Sequence, residues 1–419
     1  MIDLDILFEN IPKVDKIKIS KLKKPDIERW FKDLRMVNQY KTLKEIEDNL
    51  LNTNSLKIEV EERLYLLDLI YEPVISISGH FKKDYLNSNL PLSENKKQKF
   101  DQCVRVYEQL VIGYSIILFE QINNKKLWSF LGSKYKKIHI HILQAMIRLL
   151  SQLVLSYYEI YAHPPATVWK QLLTIFNYAE QKKIHNLFAL DKMLHEQTTI
   201  SLTFLQPLLL ALSDPFHFEQ QQTYFIYKHL AQWAKFVKIS TKDESGNPDY
   251  LAINMLDNYM PTFEPRGQIP EEHTIIYVNT NDLSIQDINA IEAKSNGYLS
   301  PFIKESLFRN MKQSISSVSE RNFERKKFKS KVKVYMGLNN IHYVLNDFNL
   351  PNWMTDANFE LVDNDISYAH AQQFSSSNPV NKNLGKYDFF LTEDSSMNGL
   401  SLIWTHEQSL EDSIHIKVG

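Results

Sequence analysis

The segment Lys331-Val-Lys-Val-Tyr-Met336 alternates between apolar residues and charged or polar ones, a pattern typical of a β-strand with one face on a hydrophobic core. It follows a basic stretch, Glu320-Arg-Asn-Phe-Glu-Arg-Lys-Lys-Phe-Lys329. Between Glu320 and Lys333 there are seven Lys or Arg residues and two Glu residues, so this part of the chain has a local excess of five positive charges. We expect a β-rich region from this point onward.

Upstream, apolar residues recur every three or four positions, which is the spacing of one face of an α-helix. One predicted helix has an apolar face formed by Val104, Tyr107, Val111, Tyr114 and Leu118. A second runs from Ile138 to Ile160 and is stopped by the His-Pro-Pro sequence at 163–165, because proline does not continue the hydrogen-bond ladder. A third is predicted over 168–179. The first 240 residues therefore predict a helical module.

Two later helices carry more specific expectations. Leu205–Leu212 is apolar nearly all round, which predicts a buried central helix in which Pro207 either makes a kink or occupies the first turn. Another helix is predicted between Pro215 and Ile239. Its inward-facing residues are expected to be Tyr224, Tyr227, Ala231, Ala234 and Val237.

A polar, turn-rich run at 240–249 predicts a linker. Beyond the linker, short strands and helices are predicted to alternate. The predicted strands are Leu251–Leu256 and Thr274–Val278, and the predicted helices begin near Ser284 and Pro301. After the basic stretch, further strands are predicted at Tyr387–Leu391, Leu400–Trp404 and Ile414–Val418. The sequence thus predicts an α+β fold with an all-α module at 1–240, an α/β connector at 250–317 and a β domain at 318–419.

Composition narrows the class of protein. The 419 residues contain 48 Lys and Arg against 50 Asp and Glu. Because this net charge is close to zero, we do not expect a nucleic-acid-binding protein. Only 10 glycines are present, and the common glycine-rich phosphate-binding and catalytic signatures are absent from the sequence. Cys103 is the single cysteine, and no secretion signal or transmembrane segment is predicted. We expect a soluble, cytoplasmic protein that is not an enzyme.

Two short segments carry residues suited to a guanine nucleotide. Arg321 and Arg325 offer planar guanidinium groups that match phosphate oxygens and the O6/N7 edge of guanine. Asp394 accepts hydrogen bonds of the kind that guanine N1–H and N2–H₂ donate, and Ser396 both donates and accepts. Gly399 allows a close approach of the backbone. The run Asp394–Gly399 is predicted to form a tight turn between two strands.

These segments resemble the paired motifs of the PilZ domain, a small bacterial β-barrel that recognises cyclic di-GMP. The family pattern is RxxxR ahead of the first strand and [D/N]xSxxG in a later turn, and this chain has both in that order. Three further segments resemble larger bacterial proteins in which a helical region precedes the PilZ domain. They are Tyr158–Trp169 with Asn177–Glu180, Pro207–Pro215 and Gly337–His342.

The resemblance implies a β-barrel at the end of the chain and cyclic di-GMP as its ligand, with no cofactor and no metal. It also implies that Arg321 and Arg325 bind phosphate and guanine. Asp394 and Ser396 are expected to form hydrogen bonds with guanine, and Gly399 is expected to leave space for the ligand next to the backbone. The helical module is expected to contact a protein partner. Two departures from the family are a loop inserted at about 345–385 and the 20 residues after Gly399, too few for a complete barrel.

Plainer interpretations remain open at this point. Arg321 and Arg325 also fit a solvated basic linker, and the residues of Asp394–Gly399 form turns with or without a ligand. The main alternative for the whole chain is a helical interaction scaffold with a degenerate, non-binding PilZ-like domain. His139 and His141 are two apart on a helix, so their rings are expected to face different sides instead of sharing a metal ion.

Overall fold

The structure is a computed structural model of the 419-residue chain. From residue 326 onward it describes the backbone of the strands. The residues that it describes are 4–12, 18–19, 22–34, 38–86, 88, 92–123, 132–191, 196–218, 220–247, 249–255, 261–263, 274–282, 326–327, 331–336, 388–396, 399–404 and 414–416.

Within these residues the first part of the chain is built from α-helices. The helices are α1 (Asp5–Phe8), α2 (Lys24–Asp33), α3 (Gln39–Asn54), α4 (Val60–Tyr85), α5 (Glu94–Asn123), α6 (Gly132–Tyr158), α7 (Ala166–Gln181), α8 (Ile200–Leu212) and α9 (Gln220–Trp233). Short 3₁₀ turns follow α8 and α9 at Pro215–His217 and Ala234–Phe236. The predicted helical module is therefore present, with boundaries close to those expected from the apolar spacing.

Helices α5 and α6 form much of the hydrophobic core. The five residues predicted to line the apolar face of α5, from Val104 to Leu118, are all buried. Helix α6 ends at Tyr158, five residues before the first of the residues expected to stop it, and the chain then forms turns. Among the described residues, Tyr135–Tyr158 is a helix that is long and apolar enough to cross a membrane, but 89% of its most apolar window is buried by the rest of the module. That degree of burial is typical of a core helix.

Helix α8 is the buried central helix that the sequence predicts. Every residue from Leu205 to Leu212 is buried, and the side chain of Thr199 caps the helix by accepting a 3.2 Å hydrogen bond from the amide of Leu202. Pro207 lies in the interior of α8, because the helix begins at Ile200. The alternative that placed Pro207 in the first turn is therefore wrong.

The inward-facing residues predicted for the region of helix α9 are confirmed except for one. Tyr227, Ala234 and Val237 are buried and Ala231 is partly buried, but Tyr224 is exposed and lies under the Lys228 ammonium, with 5.1 Å from Nζ to the ring centroid. The buried residues of α9 are Thr223, Ile226, Tyr227, His229, Leu230 and Trp233. The apolar residues of this helix occur on both sides, so spacing alone selected the wrong tyrosine.

Small strands interrupt the helical module. Strand β1 (Lys18–Ile19) pairs in parallel with β2 (Leu56–Lys57). Strands β3 (Ala189–Asp191) and β4 (Glu196–Thr198) form an antiparallel pair between α7 and α8. These strands have only two or three residues each, too short for the periodicity of the sequence to reveal them.

A four-stranded antiparallel sheet follows the helices, with strand order β5-β8-β6-β7. The strands are β5 (Lys238–Ser240), β6 (Leu251–Asn254), β7 (Thr262–Phe263) and β8 (Ile275–Asn279). Strands β6 and β8 match the two predicted ones. The prediction of a helix reaching Ile239 is wrong, because β5 pairs with β8 and places Ile239 opposite Val278. The helices predicted from Ser284 and Pro301 lie outside the described residues.

Five strands make up the last sheet: β9 (Lys326–Lys327), β10 (Lys331–Met336), β11 (Asp388–Ser396), β12 (Gly399–Trp404) and β13 (Ile414–Ile416). Their order is β12-β11-β10-β13, and β9 pairs with β11. The chain divides into one compact unit of residues 1–87 and 95–318 and another of residues 88–94 and 319–419. Helices first and strands later confirm the predicted α+β class, while the domain boundaries at 240, 250 and 318 stay predictions.

Candidate functional site

The segment Asp394–Gly399 lies at the paired ends of two strands. Asp394 and Ser396 belong to β11, and Gly399 is the first residue of β12. Ser396 is paired with Gly399, which leaves Met397 and Asn398 between the strands. The prediction of a turn over the whole run is wrong for Asp394, Ser396 and Gly399, because β11 continues through Ser396 instead of ending at Leu391 and β12 begins at Gly399.

Strand β11 has an irregularity just before Asp394. Thr392 is paired with Leu402 of β12, but Asp394 is paired with Ser401, so Glu393 is an extra residue on β11. Successive residues of a regular strand alternate between the two faces of a sheet, and one extra residue reverses that alternation. Asp394 and Ser396 consequently lie on the opposite face from Thr392.

The basic segment reaches the same point from the other edge of β11. Strand β9 is antiparallel to β11, with Lys327 paired with Asp394 and Lys326 paired with Ser395. Strand β10 pairs with the earlier part of the same strand, with Lys331 opposite Leu391 and Lys333 opposite Phe389. The two lysines that directly follow the arginine motif in the sequence are thus paired with the strand that carries Asp394 and Ser396.

The register assigns each strand residue to one of two faces, since paired residues share a face. One face, called here the lysine face, carries Lys327, Lys331, Lys333, Asp394, Ser396 and Ser401, together with the apolar residues Phe389, Leu391 and Ile403. The other, called the apolar face because most of its residues are apolar, carries Val332, Val334, Phe390, Leu400, Leu402, Trp404, Ile414 and Ile416, together with Lys326, Asp388, Thr392 and Ser395. The lysine face is polar around Asp394, where Lys327, Ser396 and Ser401 lie, and has apolar residues next to Lys331 and Lys333 further along the sheet. A polar patch of this kind on a sheet is suited to contact with solvent or a polar ligand.

The five residues predicted to bind ligand are therefore placed in part. Asp394, Ser396 and Gly399 lie together at the end of the β11–β12 pair, and Asp394 is on the lysine face. Arg321 and Arg325 lie outside the described residues. The sequence had marked Lys326 and Lys327 only as further cations after the arginines. The register shows that Lys327 shares a face with Asp394 and that Lys326 does not. The sequence could not predict this difference, because the two residues are identical and adjacent.

The helical module contains a separate set of buried polar residues, at the β3–β4 pair. Arg148 of α6 donates from Nε to Asp191 Oδ2 at 2.9 Å and from Nη1 to Gln206 Oε1 at 2.6 Å. Burial by itself lowers the pKa of Arg148, but the Asp191 carboxylate and Tyr227 outweigh this effect, and the pKa is raised. Gln144, one helical turn earlier, donates to the carbonyl of Thr198 at 3.3 Å. These contacts anchor both short strands to the core helix.

The two histidines of α6 have different partners, in line with the predicted spacing. His139 lies 2.7 Å from Gln121 Oε1 and 3.1 Å from the Tyr178 hydroxyl, whereas His141 Nε2 lies 2.8 Å from Asp68 Oδ1. Burial, helped by Lys182, lowers the pKa of His139 to about 4. Among the residues that the structure describes, no group of three His, Cys, Asp or Glu is arranged to hold a metal ion. Cys103 is buried, and burial raises the pKa of its thiol to about 11.

Comparison with known families matches both parts of the chain. Residues 25–244 match the family model described as "Cyclic-di-GMP receptor FimW, N-terminal domain". The chain belongs to the FimW receptor family. Residues 250–388 match the model described as "Cyclic-di-GMP receptor FimW, middle PilZ domain", so a PilZ domain region follows the helical domain, as the resemblance implied. The second match ends at the first residue of β11, and Asp394–Gly399 follow it.

A curated relative of the FimW family also matches. It is the cyclic-di-GMP receptor FimW of Pseudomonas aeruginosa (strain PAO1), which is 22% identical over 330 residues, covering 76% of this chain and 53% of that protein. The chain thus spans about half the length of the curated relative that it matches. No solved structure matches the chain.

Proposed function

We propose that this FimW-family chain binds cyclic di-GMP without catalysing a reaction, and that Arg321, Arg325, Asp394, Ser396 and Gly399 form the site. Cyclic di-GMP carries two guanines and two phosphodiesters, and therefore two negative charges. The arginines are assigned to phosphate and guanine, Asp394 and Ser396 to the donor edge of guanine, and Gly399 to close backbone approach. Both matched families and the Pseudomonas relative are described as cyclic-di-GMP receptors, which favours this ligand over other guanine nucleotides.

The observation that carries the proposal is the pairing of β9 with β11. Lys326 is paired with Ser395, and Arg325 is joined to Lys326 by a peptide bond. Chain connectivity therefore keeps the Cα atom of Arg325 within about 9 Å of the Cα atom of Ser395. Arg321 is four residues further away, at most about 14 Å along the chain from Arg325. One ligand of dinucleotide size is expected to contact both motifs.

Electrostatics add support to the proposal. The segment from Glu320 to Lys333 has five excess positive charges in a chain with a net charge of −2. A dianionic ligand is favoured by such a local excess, while a long polyanion such as DNA gains less because the rest of the chain is close to neutral. We therefore propose a small anionic ligand and not a nucleic acid.

Two further parts of the proposal concern the helical module. We expect it to contact a protein partner and to change conformation when the ligand binds. The size of that shift in population is limited by the difference in ligand affinity between the two conformations. We also place the protein in the cytoplasm, because Tyr135–Tyr158, the helix of the described residues that is apolar enough to span a membrane, is mostly buried in the module core.

Calorimetric titration of the 419-residue chain with cyclic di-GMP and, separately, with GMP tests the proposal. We expect saturable binding of cyclic di-GMP and much weaker binding of GMP, because a mononucleotide lacks the second guanine and the cyclic phosphodiesters. The scaffold alternative, in which the PilZ region has lost its ligand, predicts no heat of binding with either compound.

A further inference from the structure

The lysine face holds one cation that none of the motifs includes and that lies directly beside the acidic residue of the site. Lys327 is the register partner of Asp394, so the two residues are neighbours on one face of the sheet. Directly paired residues in an antiparallel sheet have Cβ atoms about 4.5–5.5 Å apart. A ligand that contacts Asp394 therefore lies beside position 327.

We propose that Lys327 is an additional ligand-binding residue of the site and that it acts on a phosphate of cyclic di-GMP. This inference rests on the proposed function. A carboxylate that reads guanine is repelled by the phosphates of the same ligand, so a cation at the neighbouring position offsets that repulsion. The lysine ammonium is a compact charge that suits one phosphodiester, while the two arginines provide the planar contacts.

The register separates Lys327 from the other lysines of the segment. Lys326 is paired with Ser395 and lies on the apolar face. It is adjacent to Lys327 in sequence, but it is on the opposite side of the sheet from Asp394 and is therefore not expected to contact the same ligand. Lys331 and Lys333 share the lysine face, but their partners Leu391 and Phe389 are three and five residues from Asp394 along β11. These positions are about 10 Å and 17 Å from Asp394. The contribution of these lysines to the affinity for cyclic di-GMP is therefore expected to be largest for Lys327, smaller for Lys331 and smallest for Lys333.

The matched pair Lys327→Ala and Lys326→Ala tests the inference, because the two variants lose the same charge at adjacent positions on opposite faces. In calorimetric titrations of the whole chain at low salt, we expect Lys327→Ala to bind cyclic di-GMP about three- to tenfold more weakly than the unsubstituted chain. Lys326→Ala is expected to bind as the unsubstituted chain does. The difference between the two variants should shrink at 1 M salt, where the screening length is about 3 Å.

A double-mutant cycle of Lys327→Ala with Asp394→Asn distinguishes a contact between Lys327 and a phosphate from an ion pair between Lys327 and Asp394. If Lys327 acts on the ligand, Lys327→Ala weakens binding by a similar factor in the Asp394→Asn background. An effect that vanishes in that background would overturn the proposal, since Lys327 would then act only through Asp394. Equal affinities for Lys327→Ala, Lys326→Ala and the unsubstituted chain would also overturn it. Absence of binding by the unsubstituted chain would instead refute the proposed function itself.

Discussion

Arg148 of the core helix α6 is joined to Asp191 of strand β3 by a 2.9 Å hydrogen bond between Nε and Oδ2, with both side chains buried. This ion pair fixes the β3–β4 pair to the core of the helical module. Arg148 also donates to Gln206, whose side chain in turn donates to the carbonyl of Tyr227 at 2.8 Å. A chain of polar contacts thus ties α6, β3, α8 and α9 together inside an otherwise apolar core.

Replacing one member of this ion pair should destabilise the helical module strongly. Arg148→Met leaves the Asp191 carboxylate buried without its cation, and loss of one partner of a buried pair costs about 3–5 kcal/mol. We expect a decrease of that size in the free energy of unfolding measured by urea denaturation. Arg29→Met is the matched control, because the Arg29 side chain is 74% exposed and its loss should change stability by less than about 1 kcal/mol. Equal effects of the two substitutions would contradict the role of the buried pair.

Buried His139 should make the helical module less stable in mild acid. Burial lowers its pKa from 6.5 to about 4, so between these values the unfolded chain binds a proton that the folded chain excludes. The free energy of unfolding therefore falls as the pH decreases from about 6.5 towards 4, by up to about 1.4 kcal/mol per pH unit from this residue. Above pH 6.5 the contribution is fully present.

The measurement compares urea denaturation of the unsubstituted chain and the His139→Gln variant across this pH range. The difference in unfolding free energy between them should change with pH below 6.5 and stay constant above it. His80→Gln is the control, since His80 lies on the surface of α4. A difference between His139→Gln and the unsubstituted chain that is the same at all pH values would show that His139 does not titrate as expected.

Asp394 should determine the preference for guanine. Asp394→Asn keeps the size of the side chain but removes its charge, and hydrogen bonds to charged groups contribute about 1.5–3 kcal/mol. We expect binding of cyclic di-GMP to weaken about 10- to 100-fold and the preference over cyclic di-AMP to decrease. Asp388→Asn, at the other end of β11, should bind as the unsubstituted chain does, because Asp388 is paired with Val334 on the apolar face. Unchanged preference in Asp394→Asn would remove Asp394 from the site.

The helical part of the fold could be predicted because its signal is local. Spacings of three and four residues identified α5, α6 and α7, and the all-round apolar character of Leu205–Leu212 identified the buried helix α8. The same spacing chose Tyr224 wrongly, since an aromatic ring on a solvent-facing position under Lys228 has the same sequence signature as a core residue. Strand β5 was missed because its three residues follow a helix directly and are stabilised by pairing with β8, nearly forty residues later.

The sequence identified the residues of the candidate site but not the face of the sheet on which each residue lies. The motif residues Asp394, Ser396 and Gly399 are visible in the sequence, and so is the cluster of cations near Arg325. The face on which each residue lies depends on the extra residue Glu393 and on the pairing between Lys327 and Asp394. Both are long-range backbone features, and a shift of register by one residue would exchange the two faces.

The central claim is that the two arginines and the segment Asp394–Gly399 bind one molecule of cyclic di-GMP. Its most direct test is calorimetric titration of the double variant Arg321→Ala/Arg325→Ala beside the unsubstituted chain. The control is Arg29→Ala/Lys32→Ala, which removes two positive charges from the surface of α2. We expect the unsubstituted chain and the control to bind alike, and the double arginine variant to bind at least 100-fold more weakly, since each lost charge-assisted contact contributes about 1.5–3 kcal/mol. An isotherm of the double arginine variant that matches that of the unsubstituted chain would contradict the account.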